Sequence, residues 1–125
     1  GLYPLLRKVN RLGLGSRIGD GHQCIPIVHI DDVAEAVFFL TTDMNCQGVF
    51  NITSPEIASM NEITNVFSGK LGLKVLSTPK PLIRLLVGDA ISILEQNCKG
   101  LPTRLLNSGF RFRYRNAKEI LSALQ

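Results

Sequence analysis

The sequence predicts an α/β fold. Short β-branched or aromatic runs alternate with helical patterns along the whole chain. Capping signatures open two of the helices, and glycine or proline separates most segments. Hydrophobic residues make up 45% of the 125, enough for a real core in one ordinary domain. Charged residues, at 19%, are too few for a disordered segment.

Taken in order, residues 1–12 read as the tail of a helix. Leu5, Leu6, Val9 and Leu12 share one face, with Arg7, Lys8 and Arg11 opposite. No cap precedes the pattern, so further residues are expected before it. A glycine-rich loop follows, from Gly13 to Gly21. The apolar run Cys24–Ile30 is interrupted by Pro26 and reads as a short edge strand. Asp31 or Asp32 is placed to cap a helix over Val33–Thr41, since a carboxylate there accepts orphan backbone amides. Gln47-Gly48 is a turn and Val49–Thr53 a short strand.

Ser59-Met60-Asn61-Glu62 is a capping box, opening a helix that runs to about Leu71 and stops at Gly72. Lys74–Thr78 reads as a strand. Pro79 and Pro81 break the chain before two helical patterns, Leu82–Leu86 and Ala90–Asn97. Pro102 suits the first turn of a short helix, Thr103–Asn107, which Gly109 stops. Phe110–Tyr114 is a strand. Asn116 caps a last helix, Ala117–Leu124, with Glu119 in the capping-box position. Four short strands are few for a free-standing parallel sheet buried on both faces.

Several function classes are disfavoured by composition. The net charge is +4, and its 14 Lys and Arg are spread along the chain rather than gathered in one stripe. The apolar stretches Val33–Leu40 and Leu82–Val87 are far too short to cross a bilayer. Cys24, Cys46 and Cys98 are odd in number and lack metal-site spacing. That pattern argues against a disulfide framework or structural metal site and fits a reducing, cytoplasmic compartment.

Three stretches invite a chemical reading. Gly13, Gly15, Gly19 and Gly21 do not form GxGxxG, and no strand precedes them. An irregular loop needing positive φ is the simpler account. Its Arg17, with His22 and Gln23 just after, could still line a ligand cleft. His29 beside Asp31 and Asp32 suggests a proton relay, but no Ser or Cys nucleophile is placed to complete a triad. A structural histidine at the strand end is favoured over a catalytic one. Arg111, Arg113 and Arg115 alternate with Phe110, Phe112 and Tyr114, which resembles a single-strand nucleic-acid platform. The period of two instead puts aromatics on one face and arginines on the other, as in a half-buried strand. No nucleic-acid or membrane partner is therefore expected.

Two segments carry a family resemblance. Gly19-Asp20-Gly21-His22-Gln23 followed by Val28-His29-Ile30-Asp31-Asp32-Val33-Ala34-Glu35-Ala36 resembles the segment after the dinucleotide domain of extended and atypical short-chain dehydrogenases/reductases. Leu101-Pro102-Thr103-Arg104-Leu105-Leu106 and Gly109-Phe110-Arg111-Phe112-Arg113-Tyr114 resemble the C-terminal domain of one branch, the NAD(P)-dependent, nucleoside-diphosphate-sugar epimerase-like proteins. Arg11-Leu12-Gly13-Leu14-Gly15 fits the same branch. The resemblance spans essentially the whole chain.

It implies a C-terminal, substrate-side lobe, with an NAD(P)-binding Rossmann domain upstream that this chain lacks. Val49–Thr53 would be the last strand of that absent sheet, and Cys24–Val28 would pair in parallel with Arg111–Tyr114. The family's Tyr-x-x-x-Lys pair is not here. Tyr3 has Arg7 four residues on, and Tyr114, which has Lys118, sits in a strand. The implied chain thus has no catalytic residue and binds no cofactor itself, although NAD(P) is implied for the full-length protein. Arg17, His22, Gln23 and His29 are its candidates for lining the cleft of a small-molecule substrate. Sugar-nucleotide epimerases of the superfamily commonly carry a phosphate-binding arginine four residues before this histidine, where Ile25 stands here. Either the substrate lacks a diphosphate or Arg17 takes over that contact. The rival reading is a stand-alone binding or interaction module. In either case an unpaired edge at Val49–Thr53 leads one to expect self-association of the isolated chain.

Overall fold

The structure, a computed structural model, describes residues 17–18, 21–71, 77–78 and 98–124. The expected first helix, most of the glycine loop and the two helical patterns at 82–97 lie outside the described residues. The chain divides into two compact units, Gly1–Ile25 with Ala58–Cys98, and Pro26–Ile57 with Lys99–Gln125. Both contain helix and strand or strand-like segments, in keeping with the α/β class.

In the first unit, β1 (Arg17–Ile18) pairs in parallel with β4 (Ser77–Thr78). β2 (Cys24–Ile25) pairs antiparallel with β3 (Ala58–Ser59), Cys24 opposite Ser59 and Ile25 opposite Ala58. This corrects the expected parallel pairing of Cys24–Val28 with Arg111–Tyr114, which lie outside this unit. The strand also stops early. Pro26 has no amide to donate to a ladder, so pairing ends at Ile25.

Helix α2 (Met60–Leu71) grows directly from β3. The Ser59 hydroxyl accepts from the Glu62 amide at 3.2 Å, and the Glu62 carboxylate accepts from the Ser59 amide at 2.8 Å. This is the reciprocal capping box that the sequence predicted. The Met60 and Asn61 amides, which a helix start leaves without intrahelical partners, donate to the carbonyls of Gln23 and Gly21, each at 3.0 Å. Gly21 sits at φ 73°, and a Cβ there would collide with the Asn61 side chain. The backbone can approach the helix start this closely only with glycine. Among the described residues, Ile25, Ala58, Met60 and Ile63 are this unit's buried apolar ones.

The second unit opens with α1 (Ile30–Thr42), which begins three residues earlier than predicted. Its N-cap is His29, whose Nδ1 accepts from the Asp31 amide at 3.2 Å. Neither Asp31 nor Asp32 caps it, a correction taken up below. At the other end the Thr41 and Thr42 hydroxyls each donate to carbonyls of the preceding turn, at 2.9–3.1 Å.

Helix α3 (Thr103–Asn107) has Pro102 at its N-cap and ends in a double turn closure. The Gly109 amide donates to Leu106 and the Phe110 amide to Leu105, with Gly109 at φ 94°. That is the Schellman pattern, and it turns the chain back so that Phe110 enters the core. Helix α4 (Ala117–Ala123) is capped by Asn116, which accepts from the Glu119 amide at 3.0 Å, while Glu119 accepts from the Arg115 amide at 2.7 Å.

Ala36, Leu105, Phe110 and Phe112 form the core of this unit, with Val28, Phe39, Leu40, Phe50 and Ile52 packed against them. Phe110 and Phe112 meet edge to face, centroids 4.9 Å apart, and Phe39 leans on Phe110 at 5.6 Å. The aromatic and basic alternation therefore sorts into faces as predicted: Phe110 and Phe112 are buried, Arg111, Arg113 and Arg115 exposed. The segment is not a strand, however, because its Arg113 and Tyr114 amides go to the Asp32 carboxylate instead of a neighbouring strand. Val49–Thr53 also forms no strand. Its residues still alternate sides, with Phe50 and Ile52 on the core and Val49 and Asn51 exposed. Among the described residues, no backbone hydrogen bond joins Phe50–Thr53 to another segment. No described helix is long and apolar enough to cross a membrane.

Candidate functional site

The most heavily built polar cluster of the second unit gathers around the start of α1. Asp32 is fully buried, and its carboxylate accepts the Arg113 amide at 2.7 Å and the Tyr114 amide at 3.0 Å. A buried carboxylate requires such donors, and two backbone amides in one fork suit it. The bonds hold the Phe110–Tyr114 segment against the first turn of α1. They also bring the Tyr114 ring to His29, with centroids 4.2 Å apart and planes tilted by 46°.

His29 is buried in this cluster. Because its Nδ1 accepts a backbone N–H, the neutral tautomer with hydrogen on Nε2 fits the geometry. Asp31 is 3.5 Å from the same nitrogen through its carboxylate but is half exposed. The cluster therefore positions backbone: a histidine cap, a buried carboxylate and an aromatic ring fix a helix start and a neighbouring segment. No described serine or cysteine completes a nucleophilic relay with His29.

The other sequence candidates belong to the first unit. Arg17 lies in β1, in register with Ser77. His22 is exposed and Gln23 half-buried, next to the start of β2. Ile25 is buried in β2, opposite Ala58, so an apolar side chain suits its surroundings.

One residue escaped the sequence reading. Arg104, on α3, donates from Nη2 to the Gln47 carbonyl at 2.6 Å and from Nη1 to the Val49 carbonyl at 3.0 Å. Its guanidinium also lies 4.7 Å from the centroid of the Phe50 ring. Gly48, between the two carbonyls, sits at φ 91°. Arginine is suited to this because its fork reaches two acceptors while its plane covers a ring. The residue stood within the Leu101–Leu106 motif, but nothing in the sequence names a partner more than 50 positions away.

Comparison with known proteins agrees with the motifs. Residues 78–124 match a family described as a domain of unknown function, DUF1731. An epimerase family protein of Staphylococcus epidermidis is 29% identical over 129 residues, covering 99% of this chain and 42% of the relative. One from Staphylococcus aureus is 30% identical over 116 residues, covering 89% and 37%. The crystal structure of a human epimerase family protein, SDR39U1 isoform 2, with NADPH superposes with a TM-score of 0.85. It is 27% identical, and the match covers 99% of this chain and 43% of that one. The chain is similar to epimerase family proteins over nearly its whole length. The region that matches DUF1731 includes both the Arg104 helix and the Phe110–Tyr114 segment that Asp32 holds. The chain spans about two fifths of the length of these epimerase-family relatives, at 42% of the S. epidermidis protein.

Proposed function

We propose that this chain is the substrate-binding, C-terminal part of an NAD(P)-dependent epimerase or oxidoreductase and does not run the reaction alone. The observation that carries this is an unfinished surface on the second unit. Ile30, Ala34, Val37, Phe38 and Thr41 recur at helical spacing on one exposed face of α1, with Phe38 70% exposed. Val49, 81% exposed, leads into Phe50–Thr53, which among the described residues makes no backbone–backbone hydrogen bond to another segment. An apolar helix face and a strand-like stretch without a ladder suit packing against a sheet supplied by a further domain. Val49–Thr53 is in this reading the last strand of that sheet.

Three of the four described helix starts are unsuited to the cofactor's phosphates. α1, α2 and α4 each begin with a side chain on the orphan amides, and each carries Asp or Glu in its first turn. A pyrophosphate approaching any of these ends would meet a carboxylate where the helix dipole would otherwise attract it. These three described helix starts do not fit the dinucleotide's phosphates, and in this reading NAD(P) binding falls to the further domain. The human relative's crystal structure with NADPH supports a nicotinamide cofactor for the whole protein. Arg17, His22 and Gln23 are this chain's candidates toward a small-molecule substrate, and His29 positions α1. Titrating NADPH into the 125-residue chain by calorimetry is expected to give no binding heat. A Kd in the low micromolar range would show that the division of labour is wrong.

A chain that works by itself as an interaction module is the second reading, favoured by the same exposed α1 face. In both readings the isolated chain is expected to self-associate through that face and the Val49–Thr53 edge. Multi-angle light scattering should show dimers or larger species, and a clean monomer at high concentration would contradict this.

A further inference from the structure

We propose that Cys24 and Cys98 form a reversible disulfide when the chain meets an oxidant. Neither is in a disulfide here: Cys24 is half-buried in β2, and Cys98 is exposed. They are far apart in sequence but adjacent in the first unit, because the Cys98 amide donates to the Cys24 carbonyl at 3.2 Å. With standard bond lengths, such a contact puts the two Cα atoms no more than about 7 Å apart. Disulfides span Cα separations of about 4.4–6.8 Å. The backbone hydrogen bond thus already holds the pair near bridging range, so little of the closure entropy of a long loop remains to be lost. The third cysteine, Cys46, belongs to the second unit.

The exposure difference assigns the order of events. The Cys98 thiolate, accessible at the surface, attacks one sulfur of a small-molecule disulfide such as oxidised glutathione. One glutathione leaves as a thiol, taking up the proton that Cys98 gave up, and a mixed disulfide remains on Cys98. The Cys24 thiolate then attacks the Cys98 sulfur, expels the second glutathione as a thiol, and closes the Cys24–Cys98 bond. Two protein thiols are oxidised and one glutathione disulfide is reduced to two thiols. The bond ties the chain together beside two of the points where it passes between units, after Ile25 and after Cys98.

The test treats the full chain with oxidised glutathione, quenches by acid, and maps peptides without reduction. The expected product is an intramolecular Cys24–Cys98 cross-link in the wild type and in Cys46→Ser. Cys24→Ser should instead accumulate a glutathione adduct on Cys98, because the resolving thiol is gone. The oxidised wild type should unfold roughly ten degrees higher than the reduced form, and dithiothreitol should reverse the shift. A stable adduct on wild-type Cys98 without a cross-link would overturn the proposal. So would a bridge that uses Cys46 or joins two molecules.

Discussion

Asp32→Ala is expected to destabilise the second unit by about 3–5 kcal/mol, among the largest single effects in the chain. Its carboxylate is fully buried and takes both the Arg113 and Tyr114 amides. Hydrogen bonds to a charged acceptor contribute roughly 1.5–3 kcal/mol each, and their loss leaves two backbone donors without a partner. Asp32→Asn keeps the shape but turns an NH₂ group toward one of those amides, so it should cost about 2 kcal/mol or more. Asp31→Ala is the informative control. Asp31 contributes its backbone amide to His29, and its side chain is half exposed, so the change should stay within about 1 kcal/mol. Amide exchange at Arg113 and Tyr114 would report the loss locally, and urea unfolding would report it globally. Equal effects of Asp31→Ala and Asp32→Ala would remove Asp32 from the role given to it here.

Leu105→Ala should cost about 3 kcal/mol. Leu105 is fully buried at the centre of the cluster that holds Ala36, Phe110 and Phe112. Truncation removes its transfer energy and leaves a cavity between rings already fixed by edge-to-face contact. Those rings cannot collapse into the space without losing that geometry. The neighbouring Leu106 is 40% exposed, so Leu106→Ala should cost less than about 1 kcal/mol. Thermal or urea unfolding of the two variants side by side checks the difference. Similar losses would mean that Leu105 is not the centre of this core.

These two residues also mark what could be read from the sequence and what could not. Leu105 lies in a short helix, Thr103–Asn107, that was legible with its bounds. The Ser59 and Glu62 box, the Asn116 cap and the Gly109 stop were equally legible, because each is satisfied within four residues of itself. The role of Asp32 was not legible. As an aspartate at a helix start it looked like a cap, and its true donors lie 81 and 82 positions away. With Asp32 placed elsewhere, His29 supplied the cap, and α1 began earlier. The Phe110–Tyr114 alternation told which side chains turn inward, since that depends on period alone. It could not tell what the backbone would bond to, and a side-chain carboxylate took the place of a strand. The candidate site followed the same rule. The residue types at 22, 23 and 29 were visible, but the packing of Tyr114 on His29 and the fork of Arg104 depend on distant segments.

Arg104 has a consequence for the order in which the chain folds. The loop after α1 contains two turns with different origins. The first closes on itself, with the Cys46 amide on the Asp43 carbonyl and the Asn45 amide on the Asp43 carboxylate. It can form as soon as those residues meet, on the timescale of local loop closure. The second, around Gly48, is held by Arg104 from α3, across 55 and 57 residues. Contacts of that separation wait for the long loop between them to be gathered in. The path of the chain from Gln47 into Val49 is therefore set late, by a helix synthesised more than fifty residues afterwards. Until that helix docks, the Val49–Thr53 stretch has no fixed direction in which to leave the turn.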